Sequence, residues 1–75
     1  YTTTKRYYMN KLLTVREKEV FELLTQNKST KDIASILRIS EKTVRNHVSN
    51  VIQKLGAKSR SGAILELIKL GNIKL

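Results

Sequence analysis

The stretch "ISEKTVRNHVSNVIQKLG", Ile39 to Gly56, holds the reading of the whole chain. Val44, Val48, Val51 and Leu55 advance by four, three and four residues, which stacks them on one side of a helix spanning about residues 41–55, with Ile52 at the border. Lys42, Asn46, Ser49 and Gln53 fall on the opposite side, flanked by Arg45 and Asn50. Each of these side chains donates hydrogen bonds and none is acidic. A face that only has to stay wet would ordinarily carry Glu and Lys pairs at i and i+4. This face instead matches the chemistry of base edges in the major groove, where Arg addresses guanine, Asn or Gln addresses adenine, and Ser addresses either. Lysines and backbone N–H groups near a helix start, Lys42 among them, hold phosphates without reading sequence.

Working outward, Ser40 is the expected N-cap of this helix, and only Arg38 and Ile39 separate it from Leu37. The preceding segment, "STKDIASILRIS", opens with Ser29 and Asp32 at capping-box spacing and carries Ile33, Ala34, Leu37 and Ile39 as its apolar set. Small Ala34 permits close approach of another helix. Two short helices joined by so tight a turn cross steeply, which is the helix-turn-helix arrangement. Upstream, "LTVREKEVFELLTQN" places Thr14 three residues before Glu17 as a second capping box. Leu13, Val20, Leu23 and Leu24 form its buried face, and Asn27 is placed to end it in the left-handed conformation. Glu17, Glu19 and Glu22 are expected outside, on a solvated face shared with Arg16 and Lys18.

Composition restricts the alternatives. The 75 residues make one small domain, which buries only about 60% of the surface its unfolded chain exposes. There is no cysteine, so neither disulfides nor thiolate-ligated metal can staple it. Fifteen Lys and Arg against six Asp and Glu leave a net charge of +9, which favours polyanionic partners. No apolar run spans a membrane and no signal-peptide pattern opens the chain, so a cytoplasmic, non-membrane protein is expected. Glycine loops for phosphates and nucleophile elbows are missing, and His47, the one histidine, lacks partners for a metal or catalytic site. His47 is therefore expected to serve a phosphate or a structural hydrogen bond, in a protein that is not an enzyme and takes no cofactor.

Residues 1–11, "YTTTKRYYMNK", show no sustained period and read as a loose basic arm ahead of a domain at 12–75. A solvated tail is the favoured reading, with Lys5, Arg6 and Lys11 in reach of phosphates as the other. At the far end, "AILELIKL", Ala63 to Leu70, is apolar nearly all round, so the last helix wants burial on two faces. One face can pack on the domain; the other calls for a partner, and a homodimer follows as the expectation, with Leu65, Ile68 and Lys69 at the seam. Leu67, Leu70 and Ile73 would be divided between core and interface. The competing reading makes this helix plain core, covered by the "GNIKL" tail.

Taken in order, "LTVREKEVFELL", "STKDIASIL", "SEKTVRNHVSNVIQKLG" and "KSRSGAILELIKLG" resemble the LuxR-type helix-turn-helix family over nearly the whole chain. The resemblance implies an all-α, four-helix domain containing a helix-turn-helix, whose third helix enters the major groove of double-stranded DNA. It implies base contacts at Arg45, Asn46 and Ser49, and sugar-phosphate contacts at Lys31, Thr43, His47, Asn50, Lys54 and Arg60. It also points to pairing through the last helix, which would set two recognition helices about 34 Å apart. A transcriptional regulator that recruits or blocks RNA polymerase is the function so implied. Two positions depart from the common pattern: Asn27 stands where the family usually has glycine after the first helix, and Arg38 where other helix-turn-helix turns often have one. The reading from a different class is a basic helical module that binds an acidic protein or an anionic lipid surface.

Overall fold

The computed structural model describes residues 13–73. The expected basic arm, residues 1–11, lies outside the described residues. Within them the chain forms four helices: α1 (Val15–Thr25), α2 (Thr30–Leu37), α3 (Glu41–Leu55) and α4 (Arg60–Lys69). Every helix starts on a hydroxyl side chain. Thr14, Ser29, Ser40 and Ser59 each accept the backbone N–H of the residue three positions on, at 3.0–3.1 Å. At α1 and α2 the boxes close reciprocally, with Glu17 accepting the Thr14 N–H and Asp32 accepting the Ser29 N–H.

Every helix also stops in the same way, with the paired hydrogen bonds of a Schellman turn around a left-handed residue. The Lys28, Ile39, Ala57 and Asn72 N–H groups reach back to the carbonyls of Leu23, Ala34, Ile52 and Leu67 at 2.9–3.2 Å. Gly56 and Gly71 supply the positive φ at two of these turns, where a side chain would be strained. Asn27 does so after α1 as expected. Arg38 does so between α2 and α3 with φ 59° and ψ 46°. The departure from glycine at Arg38 therefore leaves the turn intact: the long side chain points into solvent and the backbone carries the strain.

The core is built where the periodicity put it. Val20, Ile33, Val44, Val51, Ala63 and Leu67 are fully buried, with Leu13, Ala34, Val48 and Ile73 close behind. Phe21 joins them, the largest fully buried side chain and absent from the expected face. Leu23, Leu24, Leu37, Ile39, Ile52 and Leu55 are half-buried around this centre. Helix α3 packs on all three of the others, so its inner face is fixed from several sides and its outer face is presented rigidly.

One expectation fails. Glu17 is not on the solvated face but 3% exposed, and its Oε1 accepts both the Thr14 N–H at 3.0 Å and the Lys54 ammonium at 2.7 Å. The α1 and α3 contact that encloses it joins residues 37 apart in sequence, which local periodicity does not register. Glu19 does stay outside, paired with Arg16 at 3.3 Å. For α4 the expected cover by the following tail is seen in part. The chain after it folds back, burying Asn72 and Ile73, and Leu67 is core; Leu65 nevertheless remains 54% exposed.

Candidate nucleic-acid interface

The outward face of α3 is positioned by the turn that precedes it. Left-handed Arg38 reverses the chain after α2, Ile39 tucks in, and Ser40 caps the new helix through the Thr43 N–H, with its hydroxyl 2.9 Å from the Thr43 hydroxyl. Val44, Val48 and Val51 then lock one side of α3 into the core, so the opposite side is committed to solvent. Arg45, Asn46 and Ser49 all lie exposed there, as do Lys42, Asn50 and Gln53. The three residues expected at base edges thus share one open surface. Thr43 and His47 are half-buried at its margin.

Two flanking cations come from other helices. Lys31 is exposed in the first turn of α2, and Arg60 is the first residue of α4. Arg60 and Arg45 line one shallow depression together with Thr30, Val48, Ser49 and Ile52, so the starts of α2 and α4 meet the middle of α3 there. Backbone N–H groups at helix starts and two guanidinium groups make this depression favourable for anions. Thr30 was not anticipated; its place directly after the Ser29 cap is a local signal that could have marked it.

Lys54 stands apart from the other expected backbone contacts. Its ammonium is bound to Glu17, and its side chain is 29% exposed. Burial pushes the Glu17 carboxyl up, but the hydrogen bond from Lys54, the Thr14 N–H and the nearby charges of Lys54 and His47 outweigh it and hold the group below its ordinary 4.5. Glu17 is therefore ionised at neutral pH, and Lys54 helps fix α3 on α1. Asp32 is also held below its usual value, by the Ser29 N–H and hydroxyl in the α2 cap.

Sequence reasoning also passed over Glu41. It is exposed in the first turn of α3, with its carboxylate 3.9 Å from the Arg45 guanidinium one turn on. Of the three expected seam residues on α4, Leu65 and Lys69 are exposed, whereas Ile68 is half-buried against the core. Among the described residues no cluster of His, Cys, Asp or Glu is suited to a metal ion, and no helix is long and apolar enough to cross a membrane.

Comparison with known proteins gives this arrangement a family. The family described as bacterial regulatory proteins, luxR family, matches residues 11–67. The chain is 61% identical over 71 residues to the spore germination protein GerE of Bacillus subtilis, covering 95% of this chain and 96% of that protein. It is 48% identical over 64 residues to the transcriptional regulatory protein DegU of Brevibacillus brevis, covering 85% of this chain but 27% of that longer protein. A solved structure of the transcription factor GerE superposes with a TM-score of 0.83 at 63% identity, over 84% of this chain and 94% of that one. The match spans all the helices that build the exposed face, and this chain belongs to the luxR family of bacterial regulatory proteins as a DNA-binding transcription regulator.

Proposed function

We propose that α3 lies in the major groove of duplex DNA and reads sequence there, with Arg45, Asn46 and Ser49 on base edges. Lys31, Lys42, Thr43, His47, Asn50 and Arg60 hold the sugar-phosphate backbone on either side, and Thr30 joins them at the start of α2. The observation that carries this reading is the outer face of α3, on which hydrogen-bond donors for base edges are exposed together and held by three packed valines. A lipid or acidic-protein adaptor needs only charge and gives no reason for exposed Asn and Ser at those positions. Lys54 acts chiefly as a strut to Glu17, with its charge adding to the phosphate attraction.

In this reading the protein acts as a homodimer in the cytoplasm, where the bacterial nucleoid lies, paired through Leu65, Ile68 and Lys69 on α4. The exposure of Leu65, a large apolar side chain left open on α4, supports the pairing. The DNA-binding unit runs over residues 12–75, and the regulator works by recruiting or blocking RNA polymerase at its promoter. The test is selection from a randomised duplex pool, with binding measured across a salt series. Two short half-sites related by a two-fold axis, with affinity falling steeply as salt rises, are the expected result. Steep salt dependence without any enriched sequence would refute the groove reading.

A further inference from the structure

Helix α3 carries one acidic residue, Glu41, on a surface otherwise made of donors and cations. Residues 41, 45 and 49 advance by fours, so Glu41 lies on the same strip as Arg45 and Ser49, and the Glu41 and Arg45 side chains meet at 3.9 Å while staying half or more exposed. An acid in the first turn suits the helix dipole. That benefit does not require this strip, and on this strip the carboxylate repels phosphate at every DNA sequence.

Arginine at a base-reading position faces two competing uses. Its planar fork fits the paired acceptors of guanine, but a long flexible guanidinium reaches a phosphate just as readily. A carboxylate one turn away restrains that choice. It draws the guanidinium along the helix surface and penalises any pose that presses the strip of Glu41 and Arg45 itself against a phosphate.

Resting on the groove reading above, we infer that Glu41 is a specificity-determining positioning residue, which acts through Arg45 by holding its guanidinium for the base and by weakening docking on non-cognate DNA. Its presence exchanges some total affinity for discrimination. Glu41 itself touches no base in this arrangement.

The test compares the wild-type chain with Glu41→Gln, Glu41→Asp, Arg45→Ala and the Glu41→Gln/Arg45→Ala pair. Dissociation constants are measured on the selected site, on that site with each base pair changed in turn, and on random duplex. Arg45→Ala identifies the base pair that Arg45 reads. Glu41→Gln is expected to bind random duplex about three- to tenfold more tightly and to lose about three- to tenfold of the discrimination at that same pair. Glu41→Asp, whose charge is kept but whose reach is shorter, retains weak binding to random duplex and loses part of the discrimination. In the Arg45→Ala background, Glu41→Gln still tightens binding but changes no base preference.

Equal tightening on matched and mismatched sites in the wild-type background would overturn the inference, leaving only a change of net charge. Loss of preference at a base pair that Arg45→Ala leaves intact would also overturn it, because Glu41 would then read that base directly. These failures leave the groove reading standing, whereas a wild-type chain without base preference would refute that reading and this inference with it.

Discussion

Replacing Glu17 by glutamine isolates one interaction in this small domain. Glutamine at the third helical position still closes a capping box with Thr14, so the start of α1 keeps its hydrogen bonds. What disappears is the charge that faces Lys54 across 2.7 Å. At an effective dielectric constant of about 20, that separation corresponds to an attraction of about 6 kcal/mol. Most of it is offset by the desolvation of a nearly buried carboxylate, and the Lys54 side chain, 29% exposed, can turn part of its ammonium back to water after the substitution. The net loss should then fall below the roughly 3–5 kcal/mol of a fully buried broken pair, at about 1–3 kcal/mol. For a domain of this length, a loss of about 2 kcal/mol lowers the melting temperature by roughly 8–16 °C. Urea unfolding followed by circular dichroism measures it directly. The pH dependence supplies the sign: Glu17 has a folded value below the 4.5 of the free side chain, so its stabilisation is complete above about 4.5 and is lost as pH falls through the folded value. The gap between wild type and variant should be widest near pH 7 and close in acid. Asp32 titrates in the same direction but is present in both proteins and cancels. A variant within about 0.5 kcal/mol of wild type at neutral pH, or a gap that stays constant into acid, would refute the account of Glu17 as a charged strut.

Three further outcomes are expected. Arg38→Gly should relieve a left-handed non-glycine backbone worth about 1–2 kcal/mol, partly offset by the greater freedom of glycine in the unfolded chain, for a net gain of up to about 1 kcal/mol in chemical denaturation. A loss of stability would show that the Arg38 side chain makes a stabilising contact. Asn46→Ala should cost about 1–3 kcal/mol at one base pair, whereas Lys42→Ala should weaken all sequences alike and reduce the salt slope by about one, both read by titration against single-base variants of the selected site. Leu65→Glu should leave the thermal melt nearly unchanged, since Leu65 is 54% exposed, and abolish association in analytical ultracentrifugation; a wild-type chain that stays monomeric at high micromolar concentration with and without DNA would remove the dimer.

What the sequence disclosed depended on how far each interaction reaches. The caps at Thr14, Ser29 and Ser40 close over three residues, and the stripe of Val44, Val48 and Val51 follows from helical geometry alone, so both were legible. Burial of Glu17 was not, because glutamate at that spacing reads equally as a cap or as a wet surface until α3 brings Lys54 over it. Phe21 lies to the side of the stripe of Leu13, Val20, Leu23 and Leu24, yet the convergence of the helices gives α1 a buried face wide enough to take it in. The turn at Arg38 was legible from the short spacing between Leu37 and Ser40, although no glycine marks its left-handed backbone, whose hydrogen bonds are the same as those at Gly56 and Gly71. At the interface, the exposed polar face was legible as a list of residue types. The depression shared by Thr30, Arg45 and Arg60 was not, since it depends on helices brought together by the completed fold, whereas the approach of Glu41 to Arg45 follows from i and i+4 spacing and was passed over.

The reach of Lys54 to Glu17 also bears on how the molecule breathes. Helix ends fray first, and in a short domain each end would ordinarily open on its own with little free energy. Here the first turn of α1 and the last turn of α3 share a single carboxylate, so loosening either end breaks a contact that also holds the other. The two ends should therefore exchange their amide hydrogens as one cooperative unit. The last turn of α3 gains protection from a cap that lies at the opposite end of a different helix.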